Sequence, residues 1–304
     1  MVIRKIEPVV IVVLGPTASG KTNLAIELAN HFQLDVHNID SRQVYKGMDI
    51  GTAKPTKDQQ KLAKHFLIDI SEPNNRITVH DFQREAKECL AKTFQKQSIA
   101  LLAGGSGLYL KSLTSGLKPP AVPPQKQLRE QFKHKSQVEC YKLLQICDPI
   151  SAKRISPSDS IRTIRALEVF YATGKPISAL KTMKRPSWNL IELGLNPEDL
   201  YERIAKRTKN MYQNGLVEET KELIIKYGYE LPLLKTIGYN EALCIIKGSL
   251  SLSEAIFITN QRTRNFAKRQ RTWFKNQHSP KWLNDQNPLK ESITLIQEVI
   301  GLTK

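Results

Sequence analysis

The first strong hydrophobic pattern in the chain is an uninterrupted apolar run at Val9–Leu14. Aliphatic residues without polar alternation are typical of a parallel strand that is covered on both faces. Residues 22–32 follow, with Leu24 and Leu28 on one side and polar residues on the other. This helical spacing predicts a β–α unit at the start of the chain.

The alternation of strand and helix patterns continues to about residue 103. Short apolar runs predict strands at residues 34–39, 65–70 and 98–103, and helical spacing predicts a helix over residues 78–95. A polar loop follows each strand, as expected for β–α units whose loops lie at one edge of a sheet. The sequence therefore predicts a three-layer α/β domain with a parallel sheet.

The pattern changes at a proline-rich stretch, residues 118–124, which predicts a hinge. Residues 125–173 have a helical pattern without a strand signal, and Arg185-Pro186 forms a second break. The apolar residues 188–195 predict a strand that returns to the first sheet. We therefore predict a first part of the core at residues 1–120, an inserted all-helical subdomain at residues 121–186, and core completion with a basic helical region at residues 187–304.

The C-terminal third has a helical and strongly basic pattern. One helix is predicted over residues 200–214, with Gly215 as its C-cap, and another over residues 217–227. Residues 262–275 combine lysines and arginines with Phe266 and Trp273. Such a mixture suits an RNA backbone and unstacked bases, although an exposed helix with an apolar core stripe has the same composition.

The overall charge indicates a class of partner. The 304-residue chain has a formal net charge of +17 at pH 7 and a pI of about 9.7. This excess exceeds what solubility requires and points to a polyanion, most simply nucleic acid. A generally basic proteome is the alternative explanation.

The cysteines and histidines show neither metal-ligand nor disulfide spacing. Cys89, Cys140, Cys147 and Cys244 form no C-x-x-C pair, which argues against a zinc site and fits a reducing cytoplasm. The run Val9–Leu14 is too short to span a membrane. It also leads directly into a phosphate-binding motif, which cleavage of a signal peptide would destroy.

That motif is Gly15–Thr22 (GPTASGKT), which fits the P-loop pattern G-x-x-x-x-G-K-[ST]. The glycines allow the backbone to wrap around a phosphate, and the following helix directs its positive dipole end toward the anion. Lys21 supplies a cation, and Thr22 supplies a hydroxyl for Mg²⁺. The motif predicts a diphosphate or triphosphate site with Mg²⁺ but does not identify the rest of the ligand.

Two polar positions after predicted strands are candidates for chemistry. Asp40 suits a general base or a carboxylate near Mg²⁺, but it equally suits a turn cap. Ser106, in the second glycine turn Gly104–Tyr109 (GGSGLY), suits a substrate contact or an ordinary turn. Arg162 and Arg165 suit nucleic-acid binding or an exposed helix face.

Taken together, these segments resemble the tRNA dimethylallyltransferases, also called isopentenyl-tRNA transferases. The motifs occur in the expected order over nearly the whole chain: GPTASGKT at Gly15–Thr22, DSRQVY at Asp40–Tyr45, GMDIGTAKP at Gly47–Pro55, GGSGLY at Gly104–Tyr109, RALE at Arg165–Glu168, IGY at Ile237–Tyr239 and AKRQRTW at Ala267–Trp273. DSRQVY followed by GMDIGTAKP is far more specific than the P-loop. Ser106 departs from the threonine that is commoner in this family, and residues 36–39 are more polar than expected before Asp40.

The resemblance implies a P-loop NTPase-like core with a helical insertion that closes over the anticodon arm of tRNA. The implied reaction transfers a dimethylallyl group from dimethylallyl diphosphate to N6 of the adenosine adjacent to the anticodon on its 3′ side. The P-loop would hold the diphosphate in place of ATP, with Mg²⁺ as cofactor. A cytoplasmic monomer without membrane association is expected.

The resemblance also implies roles for individual residues. Asp40 would be the catalytic base, and Ser106 would contact the extruded adenosine. The diphosphate would contact Gly15, Pro16, Thr17, Ala18, Ser19, Gly20, Lys21 and Thr22, and Mg²⁺ would bind Thr22. The tRNA would contact Asp40, Ser41, Arg42, Gln43, Ser106, Arg129, Ile161, Arg162, Thr163, Ile164, Arg165, Lys235, Thr236, Ile237, Gly238, Tyr239 and Asn240.

Two other classes of function remain open at this stage. A small-molecule kinase would use the same P-loop with ATP and would need an arginine-bearing lid, for which Arg203 and Arg207 are candidates. The stretch Asp40–Pro55 and the basic C-terminal third argue against a kinase. A non-catalytic RNA-binding protein would leave Asp40 and the intact P-loop unexplained.

Overall fold

The computed structural model describes residues 7–302, and the chain divides into two compact units. The first unit combines Met1–Thr114 with Ser187–Lys304 and is therefore discontinuous in sequence. The second unit is the intervening segment Ser115–Pro186. Residues 121–186, where the sequence predicts the helical insertion, lie inside this second unit.

The first unit contains a six-stranded parallel sheet. In spatial order its strands are β3 (His65–Phe66), β2 (Val36–Ile39), β4 (Ile99–Gly104), β1 (Val9–Leu14), β7 (Asn189–Gly194) and β8 (Lys281–Trp282). The central strand β1 pairs in parallel with both β4 and β7 along its whole length. Because all strands run in one direction, the loops after β1, β2 and β4 lie at the same edge of the sheet.

Helices cover both faces of this sheet. They are α1 (Lys21–Phe32), α2 (Lys57–Leu62), α3 (Val79–Phe94), α4 (Gly107–Thr114), α10 (Leu200–Gln213), α11 (Leu216–Tyr227), α12 (Tyr239–Ile246), α13 (Leu252–Gln277) and α14 (Pro288–Leu302), with a 3-10 turn at Pro232–Lys235. Within residues 7–302, no helix is long and apolar enough to cross a membrane.

The alternation of side chains in β1 shows how the two faces are filled. The odd residues from Val9 to Val13 belong to one buried cluster with α1 and α14. The even residues from Val10 to Leu14 belong to a second cluster with α3, α4 and α10 to α13. The predicted three-layer α/β fold is confirmed.

Strand β2 tolerates a buried histidine because both ring nitrogens of His37 have partners, one in β4 and one in α3. His37 Nδ1 lies 3.1 Å from the Leu101 carbonyl oxygen, and its Nε2 lies 3.0 Å from Thr93 Oγ1. Burial lowers the pKa of His37, which favours the neutral imidazole. His37 is therefore buried in the core with a hydrogen-bond partner for each ring nitrogen.

The predicted strand over residues 65–70 is too long. β3 contains only His65–Phe66, because Leu67 and Asp69 adopt positive φ angles of 64° and 53° that a strand does not accommodate. The side chain of Lys54, which is 2% exposed, donates to Asp69 Oδ1 at 2.5 Å. This contact between a buried ammonium group and a partly exposed carboxylate stabilises the turn that ends the strand.

The predicted C-cap of α10 is also wrong. The helix ends at Gln213 with Asn214 as its C-cap, and Gly215 instead serves as the N-cap of α11. Gly215 has a φ of +98°, a conformation that glycine adopts without steric cost. This conformation permits the direct turn from one helix into the next.

The second unit is helical and has its own small core. Its helices are α5 (Lys126–Lys133), α6 (Gln137–Cys147), α7 (Pro149–Ala152), α8 (Ser160–Thr173) and α9 (Ile177–Leu180). Phe132, Leu144 and Leu167 belong to its buried cluster. Strands β5 (Leu117–Lys118) and β6 (Thr182–Met183), which the sequence pattern does not predict, pair in antiparallel fashion.

Candidate active site

The P-loop connects β1 to α1 as the sequence predicts. At Gly15 a Cβ atom would collide with the Leu195 carbonyl oxygen, so that only glycine fits against this backbone. Gly20, with a φ of +94°, is the N-cap of α1 and has no side chain to cap the helix. The N–H groups of the first helical turn are therefore suited to bind an anion.

A cavity of about 680 Å³ lies beside the N-terminus of α1. Its walls come from Ala18–Asn23, from parts of the segment between residues 49 and 69, and from the face of α10 that carries Arg203, Lys206 and Arg207. Lys21 adds a further cation. The concentration of positive charge in a concave site favours a polyanionic ligand such as a diphosphate.

Lys21 lines this cavity. Its Nζ donates to the Pro16 carbonyl oxygen at 2.6 Å. Loss of water around the ammonium group and, to a smaller extent, the nearby Arg207 lower the pKa of Lys21 to about 7, although Asp40 acts in the opposite direction. Burial likewise lowers the pKa of Arg207, again against the influence of Asp40. A bound polyanion would therefore favour the charged forms of both groups.

Asp40 follows β2 and begins a turn. Its Oδ1 accepts hydrogen bonds from the backbone N–H groups of Arg42 at 2.8 Å and Gln43 at 3.3 Å. These bonds involve Oδ1 only. The turn-cap interpretation of Asp40 is thus correct. The second carboxylate oxygen takes part in neither bond, and the role of Asp40 as a general base stays a prediction.

Ser106 brings the second glycine turn to the segment after β2. Its Oγ accepts a hydrogen bond from the Ser41 N–H at 2.9 Å, which leaves the hydroxyl proton for another acceptor. Gln43 bonds inward, since its Nε2 donates to the carbonyl oxygens of Thr52 and Ala53 at 3.3 and 3.0 Å. Arg42 is exposed. The structure therefore gathers Asp40, Ser41 and Ser106, while the Gln43 amide supports the neighbouring loop.

In the helical unit, the predicted tRNA contacts fall into two groups. Ile161 is 81% exposed, and Arg162 is also exposed. Thr163 is buried and Ile164 packs against the core of the unit. Thr163 and Ile164 therefore pack inside the helical unit, whereas Ile161 and Arg162 lie on its surface.

Arg129 and Arg165 share one buried carboxylate. The Arg129 guanidinium donates to both oxygens of Glu168 at 2.8 and 3.0 Å, and Arg165 Nη1 donates to Glu168 Oε2 at 2.6 Å. Glu168 has no exposed side-chain surface. It belongs to the RALE motif, yet sequence reasoning gave it no role, because an acidic residue does not itself suit an RNA partner.

The IGY motif supports the loop that lines the cavity. Tyr239 is 1% exposed, and its hydroxyl donates to Glu219 Oε1 at 2.5 Å. The Glu219 carboxylate also accepts the backbone N–H groups of Asp49, Ile50 and Gly51 at 3.0, 2.8 and 3.1 Å. Burial and this carboxylate raise the pKa of Tyr239 well above its usual range.

The segment 235–240, which the sequence predicts to contact tRNA, is more exposed at its ends than at Gly238 and Tyr239. Lys235 is exposed, and Thr236, Ile237 and Asn240 are partly exposed, whereas Gly238 is buried like Tyr239. The exposed positions keep their predicted role as a hypothesis. Glu219 is a residue that sequence reasoning missed, because no motif surrounds it.

The basic residues of α13 also divide into structural and exposed ones. Arg262 pairs with the buried carboxylate of Glu241. Arg264 lies over the ring of Tyr201, with its guanidinium carbon 5.1 Å from the ring centre. Lys268 and Arg269 are exposed. Part of the predicted basic surface is therefore available to a polyanion.

A protein-supplied metal cage is absent from the described residues: between residues 7 and 302 no group of three His, Cys, Asp or Glu side chains could hold an ion. Thr22 lines the cavity and provides a hydroxyl oxygen. Mg²⁺ commonly takes most of its ligands from substrate phosphates and water. The donor set fits a metal that arrives with a diphosphate.

Comparison with known proteins identifies the family. The family model described as IPP transferase matches residues 43–277. This chain belongs to the IPP transferase family. A "tRNA dimethylallyltransferase" of Prochlorococcus marinus is 61% identical to it over 295 residues, covering 97% of this chain and 99% of the relative.

Solved structures agree with this family. The full-length tRNA isopentenylpyrophosphate transferase of Bacillus halodurans is 30% identical with a TM-score of 0.72, and the match covers 98% of each chain. A eukaryotic dimethylallyltransferase acting on tRNA is 26% identical with a TM-score of 0.81, covering 97% of this chain and 80% of that one. The P-loop core and the helical unit are thus features of a known transferase fold.

Proposed function

We propose that this protein transfers a dimethylallyl group from dimethylallyl diphosphate to N6 of the tRNA adenosine adjacent to the anticodon on its 3′ side. The observation that carries the proposal is the position of Asp40, whose charge acts on both Lys21 and Arg207 in the P-loop cavity. A base beside a diphosphate site suits attack on an allylic ester. The family membership supports the same reaction. The proposed setting is a cytoplasmic monomer.

The proposed reaction breaks the allylic C–O bond and forms a C–N bond to N6. The leaving diphosphate gains negative charge, which Lys21, Arg207 and the N-terminus of α1 would stabilise. N6 loses a proton, and the free oxygen of Asp40 would accept it. The adenine must leave its stack to reach this carboxylate, and the Ser106 hydroxyl would donate to the extruded nucleoside.

Mg²⁺ is part of the proposal. The Thr22 hydroxyl would hold the ion together with diphosphate oxygens. Bound Mg²⁺ would supply charge neutralisation for the leaving group. Lys21 and Arg207 would supply the remaining positive charge from the protein.

The tRNA would bind those predicted contact residues that are exposed on the surface. In the helical unit these are Ile161 and Arg162, and in the first unit Arg42 and Lys235. Lys and Arg contacts to phosphates release counterions, so tRNA affinity should fall steeply with added salt. A binding constant that is independent of salt concentration would contradict this surface.

Arg203 and Arg207 line the P-loop cavity, where a small-molecule kinase would place lid arginines, but the family membership supports the transferase. Nucleoside mass spectrometry separates the two functions. Unmodified tRNA is incubated with protein, Mg²⁺ and dimethylallyl diphosphate, or with ATP instead. Isopentenyladenosine formed only with the isoprenoid supports the proposal, whereas ATP consumption without tRNA product supports a kinase.

The variant Asp40→Asn tests the base. Asparagine keeps the oxygen that accepts the Arg42 and Gln43 N–H bonds, so the turn should persist. We expect tRNA binding to be unchanged and turnover to fall by about 100-fold or more. Near-normal turnover would rule out Asp40 as the base.

A further inference from the structure

Gln270 on α13 joins the two glycine-rich turns of the site. Its Oε1 accepts a hydrogen bond from the Thr17 backbone N–H at 2.8 Å, and its Nε2 donates to the Gly105 carbonyl oxygen at 2.8 Å. Thr17 lies in the P-loop, and Gly105 immediately precedes Ser106. One planar amide therefore connects the turn that would hold the diphosphate with the turn that would hold the adenosine.

The packing around Gln270 shows a built contact. The residue is only 8% exposed. A Cβ atom on Gly105 would lie 2.6 Å from its Nε2, so glycine at this position makes room for the amide. Three residues later, Trp273 occupies the space in which a Cβ of Gly107 would lie. Residues 270 and 273 share a helix face, and α13 thus holds the glycine turn at two points.

The two ends of the bridge need opposite hydrogen-bonding character. The Thr17 end requires an acceptor, and the Gly105 end requires a donor. A glutamine amide supplies both, a glutamate supplies acceptors only, and a methionine of similar length supplies neither. The bond also occupies the Thr17 N–H, so a diphosphate contact by Thr17 would have to use its side-chain hydroxyl.

We propose that Gln270 is a positioning residue that fixes the P-loop relative to Asp40 and Ser106. This inference rests on the proposed prenyl transfer. In that reaction the allylic carbon and N6 must meet at a set distance, while each substrate is bound mainly by other groups. A displacement of about 1 Å between reacting groups can cost about 100-fold in rate. Loss of the bridge therefore reduces kcat more than it changes either KM.

The experiment compares Gln270→Met and Gln270→Glu with the same two substitutions at Gln261. Gln261 lies on α13 and is exposed, so it controls for the change in side chain on the same helix. For each protein, kcat, the KM values for dimethylallyl diphosphate and tRNA, and the melting temperature are measured. Hydrogen exchange at the Thr17 amide reports directly on the bridge.

We expect Gln270→Met to lower kcat by about 10- to 100-fold, with both KM values within about threefold of wild type and faster exchange at Thr17. Gln270→Glu should keep exchange at Thr17 slow but lower kcat, because an oxygen then faces the Gly105 carbonyl. The Gln261 variants should behave as wild type. Gln270→Glu also serves as the test variant if Gln270→Met does not fold.

A lower melting temperature with unchanged kcat in the Gln270 variants would show a structural role only and overturn the inference. A raised KM with unchanged kcat would do the same. If the wild-type protein forms no isopentenyladenosine, the proposed function fails and the catalytic role of the bridge fails with it. Product from wild type that is lost in both Gln270 variants but not in the controls supports both.

Discussion

Replacing Glu168 with glutamine is expected to loosen the helical unit without altering the P-loop. The carboxylate is fully buried and accepts hydrogen bonds from Arg129, from Arg165 and from the Gln125 N–H at 2.6 Å. Burial alone would raise the pKa of Glu168, but the hydrogen bonds from the two arginines outweigh it and lower the pKa to about 2. The charged form is therefore strongly favoured in the folded unit.

The size of the effect follows from this pKa. A change from the ordinary value of 4.5 to about 2 corresponds to about 3 kcal/mol in favour of the folded, ionised state. Removing one partner of a buried ion pair costs about 3–5 kcal/mol. Because Arg129 and Arg165 are 37% and 30% exposed, water partly solvates them, and we expect the lower figure.

Hydrogen exchange of the backbone amides in α5 and α8 measures the loss of stability in the helical unit. A cost of about 3 kcal/mol corresponds to about a hundredfold lower protection at pH 7 in Glu168→Gln. Since the folded-state pKa lies below the unfolded value, the stabilisation is complete above pH 4.5 and disappears as pH falls from about 4.5 to about 2. The difference between variant and wild type should shrink over the same range.

The matched control is Glu130→Gln, on the exposed surface of the same unit, where Glu130 pairs with Lys133 and is 64% exposed. Such a surface pair contributes about 0–1 kcal/mol. Affinity for inorganic diphosphate should be unchanged in both variants. Protection in Glu168→Gln within about threefold of wild type would refute the energetic role of this carboxylate.

Two further predictions concern the first unit. Because the pKa of Lys21 is about 7 in the unliganded protein, its ammonium is lost as pH rises through 7, and diphosphate affinity should weaken from pH 6 to 8. Calorimetric titration of wild type and Lys21→Met with inorganic diphosphate should show a steeper decline in wild type, and equal slopes would exclude Lys21. Tyr239→Phe removes the hydroxyl donor to Glu219, so the melting temperature should fall by a few degrees while the KM for tRNA is unchanged. A raised KM for tRNA at an unchanged melting temperature would instead support the predicted tRNA contact of Tyr239.

The parts of the fold that the sequence predicts correctly depend on short-range patterns. Val9–Leu14 and the P-loop after it combine strand, turn and helix signals within a few residues. The same local information places Asp40 and Ser106 at neighbouring strand ends, since parallel strands end at one edge. The predicted strand is wrong at residues 67–70. These residues are mostly apolar, but a turn forms there around the contact between Asp69 and the buried Lys54.

The parts that sequence reasoning misses depend on contacts between distant segments. Glu219 binds the loop at Asp49–Gly51, and Gln270 binds Thr17, which is 253 positions away in the chain. A glutamate or glutamine on a helix has no local feature that marks such a partner. Even the RALE and IGY motifs identify important positions without showing that Glu168 and Tyr239 are buried.

The central position of β1 also has a consequence for biosynthesis. This strand leaves the ribosome before its neighbours in the sheet, and one of them, β7, follows the entire segment Ser115–Pro186. Until Asn189–Gly194 has been made, one edge of an almost fully buried hydrophobic strand has no native partner. Nascent chains that end within the helical unit should therefore bind chaperones more strongly than chains that extend beyond β7.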